Sequence, residues 1–409
     1  MTEAVFGDPV REAEQRVGIE TVQLYRGWHK FEQTLSEDKK VDGRDFDLVE
    51  HDYEEIIFGS RGEVIERLED LSARIDPISP TLEFIKAKLV ASGYFLRALH
   101  FKERLLLDEY AQKTILITPE RPSIPDLEIQ QEKVFNLLPV IGYSGNRQGF
   151  ERFIAEKVLS REQIERQFEE AREKFLPLIA DGLGLSYLLP LDYHQEFQSK
   201  PEFWVCWIKG ERQRFEFIIN THPNNQNRLF AGNMELLAIH EMAGHLLQGY
   251  KWRDNVRRAT MNPGLAITSL PGPEHWACEG VADALPYLLP EVFEELSDYG
   301  KLALEAVHLR DLVYYRAHFM IDEGESLPTV ASFVEEYLPY EEEDTVAMEY
   351  EDRQKPRFRS HLLNYPDAGR YFRQVAPQLG SKSRDLARAL MEQPMTPQGV
   401  RNFVGSLAA

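Results

Sequence analysis

The stretch LLAIHEMAGHLLQGY, Leu236–Tyr250, holds two histidines five residues apart, His240 and His245, with Glu241 directly after the first. Two neutral imidazoles can share one divalent cation such as zinc, and a carboxylate beside them can take a proton from a water held there. The spacing is unusual for that purpose. On a regular α-helix each residue turns about 100°, so side chains four apart sit roughly 40° from one another and those five apart roughly 140° apart, too far round for one ion. A turn widened to i→i+5 hydrogen bonding absorbs the extra residue. It is expected over Met242–Gly244, with Gly244 tolerating the distortion at a helix-propensity cost of about 1 kcal/mol relative to alanine. The bland alternative is an unbroken helix with the two histidines on different faces.

A third ligand changes the weight of these alternatives. In HWACEGVADALPYLL, His275–Leu289, Glu279 stands in a run that can form the next helix, and Asp283 follows one helical turn later. That spacing puts both carboxylates on one face, one able to bind a metal and the other to accept the N–H of a histidine ligand.

Together these segments resemble the gluzincin metallopeptidases, zinc enzymes whose third ligand is glutamate. HEMAGH is similar to the H-E-x-x-G-H of the dipeptidyl peptidase III family, which also spaces its histidines five apart. GHLLQ followed by CEGVADAL resembles a bacterial group of zincins reading H-E-x-x-P-G-H-H-x-Q and then E-G-W-A. The chain departs from the second group by lacking the proline and one loop residue, and from the first by lacking a paired E-E before the key position. The resemblance covers Leu236–Leu289 and is faint beyond it. It implies that His240, His245 and Glu279 bind one Zn²⁺, with Asp283 behind a histidine and Glu241 as general base, and that the zinc polarises a carbonyl and activates water. It also implies an oxyanion donor, Tyr or His, from the C-terminal half. Tyr365, at a break before Pro366, is the first candidate with His361; Tyr314, Tyr315 and His318 follow.

The elements that must position these residues are mostly helical. Ser60–Ile75 and Thr81–Gln112 carry apolar residues at helical spacing, and Ser160 with Gln163 forms a capping-box pattern. Arg121–Leu127 reads as a proline-rich connection. After Pro201 the period changes: Glu202–Gly210 and Gln213–Asn220 predict a β-hairpin, and Thr221–Asn227 a loop. The strand Gln213–Asn220 is expected to offer a substrate-binding edge. From Glu274 the pattern is helical again, with breaks near Pro290, Pro328, Pro339 and Pro366. The expected fold is mainly α (α+β): a zincin-like core with a small hairpin or sheet beside the zinc helix, and long helices forming a cleft. Three regions are expected: a helical one at 1–195, the catalytic core at 196–290, and a second helical one at 291–409 packed with the first.

The whole chain sets outer limits. It has 409 residues, 43% of them apolar, with 68 acidic against 47 basic residues and a formal charge of -21. Such a surface repels nucleic-acid phosphates and anionic lipid, and the simplest reading of the charge, like that of the acidic run Glu341–Asp344, is solubility. Two cysteines, Cys206 and Cys278, make no disulfide framework and suit a reduced pair. With no apolar signal core and no apolar run of about 20 residues, a cytoplasmic protein is expected, free of membrane and nucleic acid. The expected function is hydrolysis of short peptides. The alternatives are a zincin-fold hydrolase of another amide and a zinc-containing binding protein without turnover. Side-chain specificity and oligomeric state are not legible.

Overall fold

Serine caps open many of the helices. Ser60, Ser79, Ser123 and Ser160 each accept a hydrogen bond from the backbone N–H three residues on, starting helices Arg61–Arg74, Pro80–Phe101, Ile124–Leu137 and Arg161–Leu183. At Ser160 the capping box is complete, with Gln163 returning the bond. The computed structural model describes residues 8–36, 40–41 and 46–408. Within them the protein is mainly α with one small sheet. None of its helices is long and apolar enough to cross a membrane.

Four local expectations change. The helix anticipated over Thr81–Gln112 ends at Phe101, where Lys102 turns left-handed at φ 55°, and restarts as Leu107–Thr114. Tertiary contacts drive the break: Tyr110 Oη donates to the Pro356 carbonyl at 2.8 Å and Thr114 Oγ1 bonds Ser360 Oγ at 2.8 Å, docking the second piece on the short helix that carries His361. The proline-rich connection is largely helix from Ile124, because Pro125 falls in the first turn, where no intrahelical N–H is needed. Pro366 likewise lies in the first turn of Asn364–Leu379, and the break precedes it at Leu362–Leu363. The anticipated loop Thr221–Asn227 contains a 3₁₀ turn, Pro223–Arg228.

The hairpin is present as β3 (Cys206–Glu211) and β4 (Arg214–Asn220), antiparallel, turning at Arg212. It is the centre of a four-stranded mixed sheet ordered β1-β3-β4-β2, with β1 (Phe46–Asp47) parallel to β3 and β2 (His194–Gln198) parallel to β4. β4 therefore has a partner on both sides and offers no free edge, contrary to the expectation for Gln213–Asn220. Among the described residues β2 ends the sheet on one side, and the first part of β3 is also an open edge, since β1 pairs it only at Gly210 and Glu211.

Alternation along β4 buries Phe215, Phe217 and Ile219. Phe217 stacks on Phe168 at 4.9 Å and Phe215 on Tyr250 at 4.8 Å, fixing the sheet against the Arg161–Leu183 helix and the end of the histidine-bearing helix. One buried apolar cluster runs through Val17, Phe217, Trp276 and Val400, so it spans all three expected regions. A second surrounds the Asp298–Asp322 helix.

Candidate metal centre

The helix carrying HEMAGH is not a uniform α-helix. It runs α over Asn233–Leu237, π over Ala238–Leu246, and α again over Leu247–Arg257. The widened stretch spans both histidines and is broader than the single turn at Met242–Gly244. Its i→i+5 ladder returns a residue five positions on to nearly the same face. His240 and His245 consequently converge, with Nε2 atoms 3.0 Å apart.

Glu279 arrives from the His275–Leu288 helix. Its Oε2 lies 3.2 Å from His245 Nε2 and 3.4 Å from His240 Nε2. The three donor atoms form a near-equilateral triangle. Atoms bound about 2.0–2.1 Å from a tetrahedral Zn²⁺ stand roughly 3.3–3.4 Å from one another, so this N, N, O set fits such an ion. One turn beyond Glu279, Asp283 Oδ1 is 2.7 Å from His240 Nδ1, which directs Nε2 of that ring into the triangle.

Electrostatics in the cluster have consistent causes. Burial works against charging either imidazole; at His240, Asp283 and Glu279 outweigh it and hold the ring well above the ordinary histidine value, and Glu279 raises His245 too. Burial opposes ionisation of Glu279, but His245 and His240 overcome it and hold that carboxylate well below its usual range. Three lone pairs facing one point cannot all be satisfied by one shared proton; a divalent cation satisfies all three.

Gly244 has a reason other than the one expected. Its φ is not in the left-handed region, so the widened turn itself does not demand glycine. A Cβ at 244 would lie 2.6 Å from Ala282 Cβ and 2.9 Å from Ala282 Cα. Glycine lets the two helices touch backbone to backbone, and Ala282 sits between Glu279 and Asp283. The close approach is what brings both carboxylates to the histidines.

Glu241 is buried, 7% exposed. Burial raises its pKa, with the two histidines pulling the other way. Among the described residues nothing donates a hydrogen bond to its carboxylate, which leaves it able to accept a proton. It lines a cavity of about 230 Å³ that also contains His240, Asp283, His361 and Tyr365. A smaller one of about 60 Å³, with His245, Glu279, Glu241 and Cys278, adjoins it. The open edge of β3 enters here, as Cys206 and Trp207 line both spaces. Cys206 and Cys278 form no disulfide with one another.

The candidate oxyanion donors separate. His361 and Tyr365 line both cavities, with Tyr365 Oη 3.5 Å from His361 Nε2. Burial and the neighbouring His275 lower the His361 pKa to about 3, so its ring is neutral. Tyr314 lines the larger cavity but donates to Glu341 at 2.9 Å. Tyr315 is committed to Asp367 and the backbone N–H of Glu120, and His318 to Arg353; neither lines the cavity. Residues not anticipated complete the wall: His308, Arg310 and Asp311 from the Asp298–Asp322 helix and Arg373 from Asn364–Leu379. The legible signal was the helical spacing of His308, Asp311 and Tyr314, which puts three polar side chains on one helix face.

No family model matches the sequence, and no curated protein matches it. Among solved structures it is similar to a "putative lipoprotein" from Colwellia psychrerythraea, with a TM-score of 0.52 and 14% identity over 85% of this chain and 68% of that one. At that identity the likeness speaks to fold alone.

Proposed function

We propose that the protein is a zinc-dependent metallopeptidase acting on short peptides. The observation that carries this reading is the convergence of His240, His245 and Glu279 within 3.0–3.4 Å of one another, with the unspent carboxylate of Glu241 on the cavity side. A zinc ion held by those three side chains supplies Lewis acidity toward a carbonyl and toward water. Asp283 orients His240 and keeps its Nε2 lone pair directed inward. Glu241 takes the proton of the attacking water and delivers it to the leaving amine; burial raises its pKa, which favours its holding that proton in transit. Tyr365, beside His361, is the favoured donor to the developing oxyanion. An extended substrate adds to the open edge of β3 at Cys206–Trp207.

The test is metal analysis of the purified protein with digestion of a peptide library. About one zinc per chain, lost in a His240→Ala, His245→Ala, Glu279→Ala triple variant together with peptide cleavage, is the expected result. Full zinc occupancy in the triple variant removes the site. Zinc bound at the triad with no cleavage of any peptide leaves a binding protein or a hydrolase of another amide.

A further inference from the structure

The larger cavity contains four arginines, and they are not alike. Arg228 is saturated: Nη2 lies 2.6 Å from Glu341 Oε2 and Nη1 donates to the Phe203 carbonyl at 2.9 Å. Arg353 is bound by Glu349 at 3.0 Å and by His318 Nδ1 at 3.0 Å. Arg373 and Arg310 have no such partners. The nearest acceptor of Arg373 is the Leu304 carbonyl at 3.5 Å, and the nearest carboxylate is Glu305 at 3.8 Å. Among the described residues, Arg310 has only the adjacent Asp311, at 3.5 Å.

A guanidinium offers five N–H donors in a planar fork, and taking it out of water without acceptors is costly. Here two such groups, their side chains 16% and 25% exposed, line the cavity that begins at Glu241. The plane of Arg373 is also held: its guanidinium lies 4.8 Å from the centroid of Tyr287, whose Oη donates to Glu305 at 3.2 Å. An arginine oriented by stacking, with its donors unspent, matches a planar carboxylate bidentately.

Most of the cavity's carboxylates are not directed at these two arginines. Asp283 is spent on His240, and Glu349 is spent on Arg353 and Arg228. Asp311 alone faces Arg310, and burial, against the pull of Arg310, raises its pKa to about 6. Nor does His308 add an anion or a cation, because burial and Arg373 hold it well below its ordinary pKa and so neutral. Glu241 is assigned to the reacting bond, so the groups facing the two arginines are Asp311 and the more distant Glu305, and the unspent guanidinium donors favour the carboxyl end of a peptide over the amino end.

Resting on the hydrolase reading above, we propose that this cavity binds the terminal carboxylate of the substrate, through Arg373 first and Arg310 second. The bond presented to Glu241 then lies near the carboxyl end of the chain, and the segment released is the one held by the arginines. Phe203 and Trp204 line the same space and supply apolar surface to the side chains of that segment.

Binding of N-acetyl dipeptides with uncharged side chains to the Glu241→Gln protein, measured by titration calorimetry, tests this without turnover. The free acids should bind at least about tenfold more tightly than the corresponding amides, as expected for a charge-assisted bidentate pair. Arg373→Gln should abolish most of that preference and Arg310→Gln part of it. The acid-against-amide comparison itself needs no arginine variant, so misfolding of either variant does not leave the question open. Equal binding of acid and amide overturns the proposal. So does equal binding of an amide carrying a glutamate side chain, which shows a side-chain carboxylate being read, and so does binding that requires a free amino end. Wild-type cleavage of carboxyl-blocked peptides as fast as free ones overturns it while leaving the hydrolase intact. Cleavage of no peptide, blocked or free, overturns the peptidase reading, and the acid-against-amide binding then still decides the cavity.

Discussion

Gly244→Ala adds one methyl group that touches no metal ligand, yet it should loosen the metal centre. The new Cβ would stand 2.6 Å from Ala282 Cβ, where carbon atoms ordinarily approach no closer than about 3.5–4.0 Å. The two helices must therefore part by roughly 1 Å. Overpacking of this kind costs about 1–3 kcal/mol, and the better helix propensity of alanine returns about 1 kcal/mol of it. Folding stability should thus fall by no more than about 2 kcal/mol. The effect on the donor set is sharper. Glu279 moves with Ala282, so its distances to the histidines, now 3.2 and 3.4 Å, lengthen to beyond what a tetrahedral ion spans. Zinc affinity, measured by competition with a chromophoric chelator, should fall about 10–100-fold, the range seen when the groups supporting metal ligands are disturbed. Ala282→Gly in the same chain removes the 2.6 Å contact but leaves the 2.9 Å approach to the Cα of residue 282, so it should restore part of the affinity. Native affinity in Gly244→Ala, or no recovery at all in the double variant, would refute the helix-contact explanation.

Other expectations follow from the same geometry. Glu241→Gln preserves shape but cannot take a proton, so zinc should remain while peptide cleavage falls by at least roughly 10²; unchanged cleavage rules Glu241 out as the base. Asp283→Asn removes the anion holding His240 and should lower zinc affinity about 10–100-fold without unfolding the chain, as read by chelator competition beside circular dichroism. His361 has a folded pKa of about 3 against about 6.5 unfolded, so the unfolded chain takes up its proton first. That contribution is intact above about pH 6.5 and is lost as pH falls toward 3, amounting to about 1.4 kcal/mol at pH 5.5. Denaturant melts of His361→Gln should therefore show a shallower acid loss than the native chain between pH 7 and 5; parallel curves would contradict the assignment of a neutral buried ring.

The cap at Ser160, the hairpin and the helix-borne order of His240, Glu241, His245, Glu279 and Asp283 were legible because each depends on residues within a turn or two. A serine three residues before the N–H that donates to it, alternation along Phe215–Ile219, and Glu279 one helical turn from Asp283 are local facts of spacing. The five-residue gap between the histidines also pointed locally to a widened turn, and the helix is π-type across both of them. Helical periodicity could not reveal the break at Lys102, since the reason for it is a hydrogen bond to Pro356, 246 residues from Tyr110.

What the sequence by itself determined is the set of elements and the chemistry each carries: a mainly helical chain, one hairpin, two imidazoles and two carboxylates at helical spacing. Only the tertiary structure decided how those elements face one another. It gave β4 a parallel partner in β2, so that the open edge at the cavity became β3. It assigned Gly244 to a contact with Ala282 that no neighbouring residue announces. It also joined His308, Asp311 and Arg310 with Arg373 around one cavity beside Glu241. The physical reason is range: capping, turning and side-chain periodicity act over a few residues, whereas strand partnership, interhelical distance and the unspent donors of a buried arginine depend on what distant segments bring against them.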